Sequence, residues 1–338
     1  MPQPEVSVLM SVYNGERHLS EALESLLGQT FSNFEFMIVD DASTDKTSDI
    51  LKEYARRDTR IRLMRNTQNV GLTRSLNLGL RSLQGEYVAR LDADDVCLPN
   101  RLKTQRDYLD EHPQVGAVGS GVQTIDEQGT PLEEARVPVE HEALQAQLLV
   151  DNCFLHSTVM ARRSVVQQVG GYDERLRYAQ DYDLWWRISR VAHLAALPEI
   201  LVRLRLTSKS ISKLHLEEQK ECALEVSLRA VQEDLDGQLL HKEAYQRFWW
   251  AYHGQYDLLQ RGDIRRLQSF WNLLASHASW RNVWRLRLFI LACRLVKHGH
   301  GTEGLRLFWV LTRRFGQPRE SCSALKSLAR RLLIKLAR

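Results

Sequence analysis

Through the first third of the chain, short apolar runs alternate with longer stretches whose apolar positions recur every three to four residues. The runs are rich in Val, Ile and Leu and too short for helices, as expected of strands covered on both faces. The pattern predicts strands over 6–12, 34–39, 61–65, 87–91 and 115–122, and helices over 16–27, 47–57, 72–83 and 101–109. Such alternation builds βαβ units and a mainly parallel, Rossmann-like α/β sheet. From Leu204 onward helical spacing takes over, as at Leu224, Leu228, Val231 and Leu235. The expected organisation is therefore an α/β domain over 1–205 followed by a helical region over 206–338.

Composition changes this picture only at the C-terminal end. The chain has 338 residues, 43% hydrophobic and 26% charged, and a formal charge of +4, all within the globular range. Residues 281–338, however, hold 14 Lys/Arg against two Asp/Glu, a net of +12, which leaves −8 for residues 1–280. Trp271, Trp280, Trp284, Phe289, Phe308 and Trp309 are interleaved with the arginines there. Near the end, Leu325, Leu328, Leu332, Leu333 and Leu336 share one helical face, flanked by Lys326, Arg330, Arg331, Lys335 and Arg338. Such a helix suits an anionic membrane interface, and equally the solvated face of a packed helical domain. Nucleic acid is the less suitable partner, because no recognised nucleic-acid motif accompanies the charge.

Five scattered cysteines with no CxxC pair predict reduced thiols and no zinc site. The N-terminal apolar run is too short for a signal peptide, and no stretch approaches the length of a membrane span. The expected location is cytoplasmic, with peripheral attachment at the inner face of the membrane.

Candidate chemistry follows from the predicted sheet. Ligands of open parallel sheets bind beyond the carboxyl ends of the strands. Tyr13 and Asn14 follow the first strand, Asp40 and Asp41 the second, and Asp92, Asp94 and Asp95 the fourth. Carboxylates gathered on one edge repel one another unless a cation sits between them, and hard divalent ions such as Mg²⁺ or Mn²⁺ take carboxylate, water and phosphate oxygens. Capping the next helix would occupy one of the three aspartates, not all of them. Asp41 lies in a Val39-Asp40-Asp41-Ala42-Ser43-Thr44-Asp45 segment that suits a turn, or a contact to a base or ribose. Neither GxGxxG nor GxxxxGK[ST] is present, which disfavours hydride transfer and P-loop chemistry.

These segments, with Val6-Ser7-Val8-Leu9-Met10-Ser11-Val12-Tyr13-Asn14, Gln29-Thr30-Phe31, Asn69-Val70-Gly71-Leu72, Asn77, Gly85-Glu86-Tyr87-Val88 and Gln180-Asp181-Tyr182-Asp183-Leu184-Trp185, form an ordered set. Over about residues 4–205 the set resembles glycosyltransferase family 2. The resemblance implies a GT-A fold and inverting transfer of a sugar from a nucleoside-diphosphate donor, UDP- or dTDP-linked. It implies nucleoside contacts at Tyr13 and Asp41, a ribose contact at Glu16, and Arg74 near the base or diphosphate. Asp94 and Asp95 match the ribose and metal contacts, with Asp92 in support and Mn²⁺ or Mg²⁺ as cofactor. Asp181 matches the catalytic base.

Two departures from the family pattern are visible. Gln180 stands where the family often has Glu, and no QxxRW segment follows Asp181, which points to single-sugar addition rather than processive synthesis. The expected acceptor is a saccharide or lipid-linked saccharide in cell-surface polysaccharide synthesis. His156 is a candidate substrate contact or a structural histidine, and Trp185 with Trp186 a candidate sugar-stacking platform or core. The competing readings are nucleotidyl transfer, which normally uses a glycine-rich N-terminal loop missing here, and a non-catalytic sugar-nucleotide or saccharide-binding module.

Overall fold

The structure, a computed structural model, describes residues 3–136, 139–207 and 214–314. The chain divides into two compact units, Met1–Val226 and Ser227–Arg338. The first unit runs β1 (Val6–Val12), α1 (Leu19–Leu27), β2 (Phe34–Asp40), α2 (Thr47–Arg57), β3 (Ile61–Arg65), α3 (Leu72–Leu80), β4 (Tyr87–Arg90), β5 (Val96–Cys97) and α4 (Arg101–Glu111). It continues with β6 (Val115–Ile125), β7 (Pro131–Ala135), α5 (His141–Leu148), β8 (Met160–Arg162), α6 (Arg163–Gln168), α7 (Gln180–Ser189) and β9 (His193–Arg205).

Among the described residues these strands form one sheet in the order β3-β2-β1-β4-β8-β6-β9-β5, with β7 paired to β6. The first four strands are parallel, and every residue of β1 and β2 is buried, because helices cover both faces. Val6, Val8, Met10, Phe36 and Ile38 build the core with Leu19, Leu23 and Leu26 of α1. The sheet then becomes mixed: β8 runs antiparallel to both β4 and β6, β9 runs parallel to β6, and β5 antiparallel to β9.

Register fixes the functional edge. Val12 lies opposite Asp40 and Leu9 opposite Arg90, so the segments after β1, β2 and β4 emerge side by side. Helix α1 begins at Leu19, three residues later than the periodicity predicts. Glu16 is held instead in a cross-loop turn, its N–H donating to Asp45 Oδ2 at 3.1 Å and its carboxylate accepting the Lys46 N–H at 3.0 Å. Helix α3 ends at Leu80, three residues earlier than predicted, where the Ser82 N–H closes a tight turn on Gly79 O at 2.9 Å.

After β9 the described chain is helical: α8 (Leu216–Asp234), α9 (Lys242–Tyr252), α10 (Asp263–Arg266), α11 (Gln268–Ser276), α12 (Ala278–Lys297) and α13 (Gly301–Arg314). Within the second unit the aromatic residues divide. Phe248, Phe270, Trp271 and Trp284 form a buried core, with the Trp271 indole N–H donating to Ile264 O at 2.7 Å. Leu305 and Trp309 are 38% and 55% exposed, with the Arg313 guanidinium 4.4 Å from the Trp309 ring centroid. The leucine-striped segment 325–338 lies outside the described residues. Among the described residues no helix is long and apolar enough to cross a membrane.

Candidate active site

The edge beyond β1 and β2 is a preorganised loop cluster. Asp41 is only 2% exposed, and its Oδ1 accepts from Asn66 Nδ2 at 2.7 Å and the Val70 N–H at 2.9 Å. Its Oδ2 accepts the Gly71 N–H at 2.8 Å, at the entrance of α3 where Gly71 takes φ 90°, a value that favours glycine. Asp41 therefore holds the Val70-Gly71 turn. A carboxylate has about four lone-pair sites, so these three bonds leave it capacity to accept one more donor. Tyr13 stands beside it, 50% exposed. Asn14 ties the two loops together, its N–H donating to Ser43 Oγ at 3.0 Å and its side chain accepting the Thr44 N–H at 2.9 Å. Arg74, in the first turn of α3, is exposed and lies 3.9 Å from Glu174.

Beyond β4 the acidic groups are distinguished by their surroundings. Asp92 is matched: Arg90 donates to it, and Ser157 Oγ both donates to its carboxylate and accepts its N–H at 3.0 Å. Although burial opposes its charge, these partners keep its carboxyl below the usual pKa. Asp94 makes no ion pair among the described residues, and burial, with the Asp92 charge beside it, pushes its pKa up to about 6. Asp95 is buried and accepts the Arg205 N–H at 2.9 Å, yet burial and its two acidic neighbours drive its pKa well up.

Among the described residues no group of three or more His, Cys, Asp or Glu side chains is arranged to hold a metal by itself. The crowded, under-neutralised oxygens of Asp94 and Asp95 do fit a hard divalent ion that takes one or two carboxylates and completes its shell with phosphate and water.

Asp181 lies in the first turn of α7. Ala179, at φ 55° in the left-handed region that residues with a Cβ seldom adopt, turns the chain into that helix. The preceding loop is anchored to α3: Thr73 donates to Leu176 O at 2.9 Å, and Asn77 bonds both the C=O and the N–H of Tyr172 at 2.9 and 3.0 Å. Gly171 has φ 72°, and a Cβ there would sit 2.9 Å from Asn77 Oδ1, so only glycine fits. Asp181 accepts from Asn152 Nδ2 at 2.8 Å; burial, with the Asp92 charge adding to it, raises its pKa. Asp181 and the acidic cluster are thus within electrostatic reach of each other, whereas Tyr13, Glu16 and Asp41 belong to the separate loop cluster beyond β1 and β2.

His156 Nε2 lies 2.7 Å from Tyr172 Oη, and burial lowers its pKa to about 3, so the imidazole is neutral. The stacking-platform expectation is corrected. Trp185 is 2% exposed and Trp186 1%, and Trp185 packs edge-on against Phe154 and His156, leaving no free face for a sugar. Helical periodicity buries both rings, since α7 is covered almost all round.

Sequence reasoning missed the cationic framework. Arg205, its side chain 1% exposed, donates from Nε to Asp94 O at 3.0 Å and from Nη1 to the carbonyls of Asp126 and Glu127 at 3.2 Å, and pairs with Glu21. Arg101, fully buried, donates to Arg90 O at 2.7 Å and to Val159 O at 3.2 Å. Arg205 sits in a mostly apolar stretch, which is a weak sequence signal, whereas Arg101 lies among polar residues and carries none.

The mixed sheet, with tightly bonded loops after β1 and β2 and crowded carboxylates after β4, is an α/β architecture with its polar groups gathered at one set of strand ends. Comparison with known proteins agrees: residues 7–170 match the family model described as glycosyl transferase family 2. The chain is similar to the amylovoran biosynthesis glycosyltransferase AmsE of Erwinia amylovora, 35% identical over 61% of this chain and 78% of AmsE. In fold it is similar to Staphylococcus aureus TarS 1–349, solved with UDP-GlcNAc, with TM-score 0.58, 20% identity, and coverage of 94% of this chain and 93% of that one. It is also similar to the mannosyltransferase PcManGT of Pyrobaculum calidifontis, solved with GDP-Man and Mn²⁺, with TM-score 0.56, 16% identity, and coverage of 94% and 88%. The chain belongs to glycosyltransferase family 2 and has the GT-A fold.

Proposed function

We propose that the protein is an inverting, non-processive glycosyltransferase. In this reading it moves one sugar from a UDP- or dTDP-linked donor to a hydroxyl of a saccharide or lipid-linked saccharide, in cell-surface polysaccharide synthesis. The observation that carries the reading is the pairing of one carboxylate of raised pKa, Asp181, with the crowded Asp92–Asp95 cluster across the same strand edge. The biosynthetic name of AmsE and the UDP-GlcNAc held by TarS support the substrate class.

Asp181 takes the proton of the acceptor hydroxyl as that oxygen attacks the anomeric carbon, and the bond to the nucleoside diphosphate breaks on the opposite face. Burial brings the pKa of Asp181 closer to neutral, which strengthens it as a base. Asp94 and Asp95 would hold a divalent ion, Mn²⁺ or Mg²⁺, which would supply positive charge toward the departing diphosphate. Asp41, with one acceptor site in reserve, receives a base N–H. In this reading Tyr13 flanks the base, Glu16 faces the ribose, and Arg74 lies near the base or diphosphate.

Residues 1–205 form the transferase domain in this reading, and 206–338 set where it works. The net +12 of residues 281–338 and the exposed Leu305-Trp309 strip beside Arg313 support peripheral contact with an anionic membrane on the cytoplasmic side. Co-sedimentation with anionic vesicles, lost on deleting residues 320–338, checks that part.

The test of the chemistry is a donor screen on purified protein with Mn²⁺ or Mg²⁺. Acceptor-dependent release of free nucleoside diphosphate is expected, and pyrophosphate exchange would instead indicate nucleotidyl transfer. Asp181→Asn is expected to bind donor normally and lose transfer by at least about 100-fold; near-normal turnover would remove the base assignment.

A further inference from the structure

We propose that Asn152 is the positioning residue of Asp181, fixing one carboxylate oxygen so that the other faces the acceptor hydroxyl. The inference rests on the reading of Asp181 as the base.

Asn152 Nδ2 donates to Asp181 Oδ2 at 2.8 Å. Its Oδ1 accepts the Phe154 N–H at 3.2 Å, so each end of the amide has its own partner. A flipped amide would set oxygen against carboxylate and NH₂ against N–H, losing both bonds. The backbone is pinned as well, because the Asn152 N–H donates to Asp151 Oδ1 at 2.9 Å and its C=O accepts from Gln147 Nε2, on α5, at 2.8 Å. Two residues on, Phe154 packs edge-on against Trp185, one helical turn beyond Asp181 on α7, with ring centroids 6.1 Å apart. The 152–154 segment thus grips α7 at two successive turns, by an amide at the base and by a ring behind it.

An N–H given to a carboxylate stabilises its charged form, opposing the burial that pushes the Asp181 pKa up. The other groups facing Asp181 are Asp92, Tyr172 and Cys153, with Asp151 beside Cys153. Tyr172 and Cys153 are held neutral by burial, and Asp92 is held ionised by Arg90 and Ser157.

The experiment is the pH profile of kcat/KM for the full chain and for Asn152→Leu, Asn152→Asp and Asp181→Asn, at saturating Mn²⁺, with donor binding followed by calorimetry. Asn152→Leu is expected to move the acidic limb up by about one pH unit, the effect of about one lost bond to the charged form. It is also expected to lower kcat at neutral pH by about 10- to 100-fold through misorientation, leaving donor affinity unchanged. Asn152→Asp, nearly isosteric and so usable if the leucine variant does not fold, moves the limb further in the same direction. A wild-type limb and kcat in both Asn152 variants, with Asp181→Asn inactive, overturns the positioning role and leaves the base reading standing. An active Asp181→Asn overturns both.

Discussion

Two pairs of aspartates follow the parallel strands on either side of β1, and their surroundings give them opposite characters. After β2, Asp40 and Asp41 are enclosed by donors from their own chain: Ser43 N–H and Ser48 Oγ for Asp40, and Asn66, Val70 and Gly71 for Asp41. After β4, Asp94 and Asp95 sit close together with little positive charge to offset them, and their pKa values rise. Satisfied carboxylates shape loops, whereas unsatisfied ones store electrostatic free energy that an arriving cation can release. The same residue type at the carboxyl ends of two strands thus gives loop-holding carboxylates in one place and crowded, poorly neutralised ones in the other.

The sharpest way to break this contrast is to remove charge from each pair in turn. Asp94→Asn is expected to lower metal-dependent turnover by about 100-fold or more, measured as nucleoside diphosphate release across a Mn²⁺ titration. Asp41→Asn replaces an acceptor of two backbone N–H groups with a partial donor. It is expected to cost about 2–4 kcal/mol of stability, read from urea midpoints, whatever the metal concentration. Removing repulsion has the opposite sign: without metal, Asp94→Asn should melt about 2–4 °C above wild type by calorimetry, and added Mn²⁺ should narrow that gap by stabilising only the wild type.

A separate effect, dependent on pH and not on metal, concerns His156. Its pKa is lowered from 6.5 to about 3 in the folded protein, so below pH 6.5 the unfolded chain takes up a proton that the folded one refuses. Its contribution to stability is complete above pH 6.5 and is lost as pH falls toward 3, at up to about 1.4 kcal/mol per pH unit. His156→Gln should flatten the fall in urea midpoint between pH 7 and pH 5.

How far the sequence disclosed these regions also differs. β1 and β2 are legible because each is a nearly continuous apolar run with a helix after it, and β3, β4 and β6 because shorter or glycine-broken apolar runs keep the same alternation. The other strands are not. β5 and β8 are two and three residues long, β7 is exposed throughout, and β9 carries His193, Pro198, Glu199 and Arg203 among its apolar residues. Periodicity cannot detect strands so short or so mixed. The aspartates were legible because their types and order are unusual. Arg205 and Asn152 were not, because an arginine or asparagine is ordinarily exposed and the partners that bury them lie far away in sequence. Trp185 misled for the converse reason: an aromatic ring next to a candidate base is as suited to packing as to binding, and only the burial of α7 decides between them.

The Arg205 bonds tie an early segment of the chain to a late one. Asp95 is translated 110 residues before the backbone N–H that fixes it. At a ribosomal rate of about 5–20 residues per second, that interval is roughly 5–20 seconds. Throughout it, the β1-to-β4 layer with its loop cluster can fold while the acidic pocket beside it stays unanchored. A nascent or truncated chain ending before β9 would therefore hold the loop cluster beyond β1 and β2 while Asp95 still lacked the backbone N–H of Arg205, so the last strand in chain order completes the acidic region.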